Sequence, residues 1–126
     1  LEFSLYLLNL APLIFSQMEK RNSTQFAIVS FTGDSSLTYE DIKKANKGEI
    51  GFHYIIDPQG QILMGRHSSK VGAYSPKFDD TCLGICIIGT RHEMEDAQSI
   101  SLTLLLENLK TEFPEIESAK YIYKED

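Results

Sequence analysis

The spacing of apolar and polar positions changes several times along the chain, and each change predicts an element. Residues 1–22 open with FSLYLLNLAPLIF, apolar almost throughout, and then turn polar at MEKRNS. An uncovered apolar arm is an exposed patch of a kind soluble monomers avoid. This arm is therefore expected either to fold back on the domain or to dock onto another protein. QFAIVSF (25–31) has β-branched and aromatic residues without charge and predicts a buried strand. GDSS (33–36) is a loop. Thr38 then stands as an N-cap with Asp41 three residues on, which predicts a capping box and a helix running to about Lys47, where Gly48 stops it. The lysines of that helix, Lys43, Lys44 and Lys47, read most simply as a solvated face. GFHYIID (51–57) predicts a second strand, PQG a tight turn, and 61–64 its hairpin partner. Residues 66–81 show no period and read as a long loop, which in a small domain is usually functional or disordered. CLGICII (82–88) is a third core strand, ended by Gly89. From Glu95 to Phe113 the residues Ala97, Ile100, Leu104, Leu105 and Leu109 recur at helical spacing, with Leu102, Leu106 and Phe113 widening the stripe, until Pro114 stops the helix. AKYIY (119–123) is a last short strand. Strands alternating with helices, with one hairpin, predict an α/β fold: a mixed central β-sheet flanked by helices. The arm (1–22) and the domain (23–126) are its two parts.

Composition narrows this picture. At 126 residues the chain is one domain at most. It is 42% hydrophobic and 24% charged, as globular domains are. Twelve basic against eighteen acidic residues give a net charge of −6, which argues against nucleic acid as a partner, since phosphate binding needs a basic face. The apolar stretch from Phe3 to Phe15 is interrupted by Ser4, Asn9 and Pro12 and falls short of the roughly 20 residues a membrane span needs. It has the length of a signal-peptide core, but no basic residue precedes it and Glu2 is acidic. Cys82 and Cys86 lie four apart in one strand, so their Cα atoms should be roughly 13 Å apart. That is too far for a disulfide. Two free thiols favour a reducing setting, cytoplasmic or virion-associated.

Candidate chemistry is sparse. His53 alternates with Phe52 and Tyr54 in a strand, where a lone histidine is more often a hydrogen-bonded structural residue than a ligand. His67 follows Gly65 and Arg66 at a strand end, a place where sites are often built, and His92 sits in a polar stretch and reads as solvated. A catalytic zinc needs three converging N, S or O side chains, and no close spacing supplies them. Cys82 and Cys86 lie in an apolar strand that would raise a thiol pKa rather than lower it. Unaided, these residues describe an α/β domain without a visible active site.

The ordered strings IVSFTG, IGFHYIIDPQGQILMGR, VGAYSPKFDDTCLGICIIGT and AQSISLTLLLENLKTEFP change that reading. Together they resemble the zinc-dependent N-acetylmuramoyl-L-alanine amidases of the phage-lysozyme and peptidoglycan-recognition-protein type. The likeness runs from about residue 25 to 123 and is densest over 51–89. It implies that family's fold. It also implies positions for the catalytic set, and here the chain departs. The family's first strand carries a zinc-binding His where this chain has Ser30. Its catalytic Tyr corresponds to Phe52, and the His beside that Tyr, not a metal ligand, to His53. The loop His of its VGAH string corresponds to Tyr74, and its GHRD histidine falls at Tyr123 or Lys124. The family's last ligand has no counterpart within these residues, and its GxNxxS loop reads KFDDTC.

With no ligand set, no zinc or other cofactor is expected, and the function expected from the sequence is that of an inactive amidase fold. In the first reading it binds a protein partner through Phe3, Leu5, Tyr6, Leu7, Leu8 and Leu10, or serves as a structural component of a phage particle or as an inhibitor of a phage polymerase. The alternative is a non-catalytic peptidoglycan or muropeptide module whose groove uses Phe52, His53, Tyr54, Arg66, His67 and Tyr74. A third reading is an active amidase with an atypical ligand set such as His53 and His67.

Overall fold

The computed structural model describes residues 20–122. Seven elements follow in chain order: β1 (Phe26–Phe31), α1 (Tyr39–Ala45), β2 (Tyr54–Ile56), β3 (Ile62–Met64), β4 (Cys82–Ile87), α2 (Asp96–Glu112) and β5 (Ser118–Ile122). The strands form one five-stranded sheet in the order β3-β2-β4-β1-β5. β1 pairs in parallel with β4 and β5, β2 pairs in parallel with β4, and only the β2–β3 hairpin is antiparallel. This is the mixed α/β sheet that the pattern predicts. Gly60 takes a positive φ of 83° in the hairpin turn, which a glycine adopts without strain.

Alternation along the strands sorts side chains to two faces. Ala27, Val29, Tyr54, Ile56, Leu83, Ile85 and Ile87 join α2 in the larger core. Ile50, Ile55, Cys86 and Ile88 join Leu37, Ile42 and Phe52 in a smaller one on the α1 side. α1 begins with the capping box at Thr38 and Asp41 but is only seven residues long and buries none of them. It stops at Ala45, earlier than Lys47, because Lys47 and Gly48 both turn to positive φ.

The α2 stripe needs a correction. Its buried residues are Gln98, Leu102, Leu105 and Leu109, whereas Ala97, Ile100 and Leu104 are exposed. The helix is rotated to place Gln98 in the core, where its amide donates to the Ile88 carbonyl at 2.8 Å beyond the end of β4. A buried side chain that satisfies an orphan carbonyl outweighs one more apolar contact. A hydrophobicity count does not see this. β2 is also shorter than expected. Gly51 and His53 also bond to the loop and to β4, through Ala73 N to Gly51 O and His53 N to Gly84 O, both at 2.9 Å, while the His53 and Phe52 carbonyls accept from Gly65 N and Arg66 N across the hairpin, also at 2.9 Å. Cys82 and Cys86 are buried thiols with no disulfide. Among the described residues no helix is long and apolar enough to cross a membrane.

Candidate functional site

On the sheet face opposite α2 a cleft of about 410 Å³ opens between β1, α1 and the loops at 51–52 and 73–75. Ser30, Phe52 and Tyr74, which the sequence places on three separate segments, all line it, as do Asp41, Asn46 and Ser75. Parallel pairing sets Ser30 level with Cys86 on the neighbouring strand, so a hydroxyl and a thiol share the floor.

Tyr74 shapes that floor. Its ring stacks on Phe52, with centroids 5.6 Å apart and planes 20° from parallel, and meets His53 edge-on at 6.1 Å. It lies over the backbone of β4: a Cβ on Gly84 would stand 2.6 Å from the ring. Only a glycine lets an aromatic ring approach a strand this closely. The Tyr74 phenol reaches the Phe78 carbonyl at 3.4 Å. Burial pushes its pKa above the ordinary tyrosine value, with Cys82 and Asp79 adding to the effect, so it remains a neutral donor. Asp79 fixes the loop that carries it, one carboxylate oxygen accepting from the backbone N–H of Tyr74 at 2.9 Å and of Ser75 at 2.8 Å.

Ser30 differs from its neighbours. Its Oγ is buried and has no hydrogen-bond partner among the described residues. An unpartnered buried hydroxyl is costly in a core, and here it lies on the cleft floor.

The remaining candidate residues lie elsewhere. His53 is fully buried, and both its ring nitrogens are engaged: Nε2–H donates to the Lys70 carbonyl at 2.6 Å, and Nδ1 accepts from the Gly84 N–H at 2.9 Å. Burial, before any nearby charge, lowers its pKa to about 4, so the ring is neutral. It is a staple between loop and strand and does not line the cleft. Tyr54 is buried in the α2-side core. Arg66 donates to the Ile50 and Val71 carbonyls and pairs with Glu49 at 3.3 Å, bracing the loop. His67 is exposed and contacts the Ser69 hydroxyl. Tyr123, Lys124 and the arm residues Phe3, Leu5, Tyr6, Leu7, Leu8 and Leu10 lie outside the described residues. The sequence reading missed Asp41, Asn46 and Ser75 as cleft residues. The sequence reading gives Asp41 only the role of capping-box partner and gives Asn46, at the C-cap of α1, none; only tertiary packing turns them toward a cleft.

Among the described residues no three His, Cys, Asp or Glu side chains converge. On the cleft floor a serine hydroxyl and a packed tyrosine ring stand where the family resemblance would put a metal-binding imidazole and a loop imidazole. A neutral hydroxyl is a poor zinc donor beside imidazole or thiolate, so these residues do not fit a zinc ion.

Comparisons with known proteins agree with the fold. No family model matches the chain. The chain is similar to the endolysin of Escherichia phage T7, 26% identical over 108 residues, covering 71% of this chain and 72% of that one. Matches to other curated relatives span only 26% to 48% of their length. Among solved structures it is similar to the endolysin N-acetylmuramoyl-L-alanine amidase LysCS from Clostridium intestinale URNW, with a TM-score of 0.71, 28% identity, and coverage of 79% of this chain and 70% of that one. A mutant of Drosophila PGRP-LB in complex with tracheal cytotoxin superposes with a TM-score of 0.66 at 20% identity, over 82% of this chain and 73% of that one, a likeness of fold alone.

Proposed function

We propose that this chain, similar in sequence and fold to phage endolysins and to an N-acetylmuramoyl-L-alanine amidase, is an amidase and peptidoglycan-recognition-protein-like protein that binds a peptidoglycan fragment in the cleft without hydrolysing it. The observation that carries this reading is the state of the cleft: still open at about 410 Å³, with Tyr74 and Phe52 stacked on its floor. Amide hydrolysis of the family's kind rests on a metal that lowers the pKa of bound water to about 7 and polarises the carbonyl. Ser30 and Phe52 supply neither a metal ligand nor a phenol there. What the cleft offers instead is recognition. A flat aromatic floor packs against a sugar face or a peptide methyl, and Ser30, Asp41, Asn46 and Ser75 supply hydrogen bonds around it. The unpartnered Ser30 hydroxyl is a donor that a ligand could satisfy. Tracheal cytotoxin is bound in the PGRP-LB complex, which makes a muropeptide the first ligand to try.

Calorimetric titration with a muropeptide, alongside an amidase assay in excess zinc, tests this. Saturable binding is expected, weakened at least about tenfold by Tyr74→Ala, since one well-packed ring contributes above 1.4 kcal/mol. No lactyl-amide cleavage is expected. Cleavage, or one zinc retained per chain after dialysis, would overturn the non-hydrolytic reading, and absence of binding would overturn the ligand.

A further inference from the structure

The cleft between β1, α1 and the loops at 51–52 and 73–75 has apolar walls, with Leu37, Ile42, Ala45 and Phe52 among them. Of the residues that line it, Asp41 alone carries a charge. Asp41 sits in the first turn of α1, exposed at the mouth of the cleft. Ala45 follows one turn later on the same face of the helix and adds little bulk beside the carboxylate.

The capping box uses only half of that carboxylate. Oδ2 accepts from the Thr38 N–H at 2.9 Å, whereas Oδ1 makes no hydrogen bond to the described residues. The Thr38 bond, more than the field of Lys44, holds the Asp41 pKa below the ordinary carboxylate value, so the group is ionised at neutral pH. Lys44 forms no ion pair with it among the described residues.

One free anionic oxygen at the mouth of an apolar cleft is complementary to a cation carried on an aliphatic stem. Lysine side chains behave in this way on protein surfaces, laying their methylenes along apolar groups and keeping the ammonium near water. An anion would be repelled by Asp41 and by a chain of net charge −6, and no cationic side chain lines the cleft to offset this. A neutral alkyl group would cover the walls but leave Oδ1 to water.

We infer that the cleft selects ligands bearing a primary alkylammonium group, with the aliphatic stem along Ile42, Ala45 and Phe52 and the ammonium on Asp41. The inference rests on the cleft being the binding site, as the peptidoglycan reading does, and adds the chemistry of the group held there. A peptidoglycan fragment with a free side-chain amine is then preferred to one whose amine is blocked. The ion pair forms at the mouth, so the preference is modest in size and sensitive to salt.

Two titrations of the full 126-residue chain test this. The first compares hexylammonium, hexanol and hexanoate through the backbone amide shifts of residues 41–46, 51–52 and 73–75. Hexylammonium should bind up to about fivefold more tightly than hexanol, and hexanoate more weakly than either. The preference should shrink between about 0.05 M and about 0.5 M salt. This comparison is made on the unaltered chain. Asp41→Asn keeps an oxygen that can accept from Thr38 N–H and should abolish the preference. Glu40→Gln removes the same charge from the same turn, away from the cleft lining, and should leave it intact. The second titration compares a muropeptide carrying one free side-chain amine with its N-acetylated form, which should bind about fivefold more weakly. A preference for hexylammonium with no binding of either muropeptide would support the inference and overturn the peptidoglycan reading. No shift with any of the three probes, equal binding of all three, a preference retained in Asp41→Asn, or two muropeptides bound alike would overturn the inference.

Discussion

Tyr74 and Gly84 show how one side chain can set the character of a site. The ring lies where a Cβ on residue 84 would stand at 2.6 Å, so the glycine and the tyrosine are coupled. Gly84→Ala alone should force the ring off β4 and destabilise the fold by roughly 1–3 kcal/mol, as overpacking does. In a Tyr74→Ala background the same methyl meets little, so most of that cost should vanish. Urea unfolding of the four members of the cycle measures the coupling. A value near zero would mean that the ring does not rest on β4 in solution. The cycle is independent of ligand, so it tests the cleft floor whatever the cleft binds.

At the scale of elements, the 66–81 loop is held to the sheet largely through buried polar contacts, and His53 is the deepest of them. Its neutral ring donates to Lys70 and accepts from Gly84, an arrangement that protonation of Nδ1 destroys. The pKa lies near 6.5 in the unfolded chain and about 4 in the folded one, so the folded state binds fewer protons between those values. Stability should be full above pH 6.5 and fall as the pH drops toward 4, by roughly 3 kcal/mol in all. Unfolding at pH 7.0 and at 4.5 should record most of that loss, and His53→Gln should flatten the profile over that interval. An unchanged slope in the variant would remove His53 from the account. The same element shows what the sequence made legible. The strings GFHYII and LGICIIG pointed to the fold, and alternation alone gave β1, β2 and β4 their place in the core. The partners of His53 lie 17 and 31 residues away, and no local pattern encodes them. The rotation of α2 was hidden for a related reason: Gln98 is polar by type but buried by its partner, the Ile88 carbonyl. Ser30, Phe52 and Tyr74, singled out through the resemblance, line the cleft, whereas Asp41 and Asn46 needed the packing of α1 against the sheet, and Ser75 the course of its loop, to be found.

For the whole molecule, the two faces of the sheet are unequal, and this asymmetry should appear in its dynamics. α2 spans seventeen residues and seals a large core with Leu102, Leu105 and Leu109. α1 has seven residues, buries none, and stands over the open cleft. Local opening costs little where few apolar contacts are lost. A helix this short owes its stability to packing rather than to propensity, even with the Thr38 cap in place. Native-state hydrogen exchange should therefore find the α1 amides opening well below the global unfolding free energy, and those of β1 and β4 only near it. Because Asp41 of α1 and Asn46 at its C-cap line the cleft, a ligand bound there is expected to hold the helix closed. Its binding energy should then appear as slower exchange in α1, with little change in α2. Exchange of α1 at the same rate as β4 in the free protein would show that the cleft is rigid without a ligand. Slowing confined to α1 would locate the binding site without any activity assay, which suits a protein proposed to recognise its ligand and leave it intact.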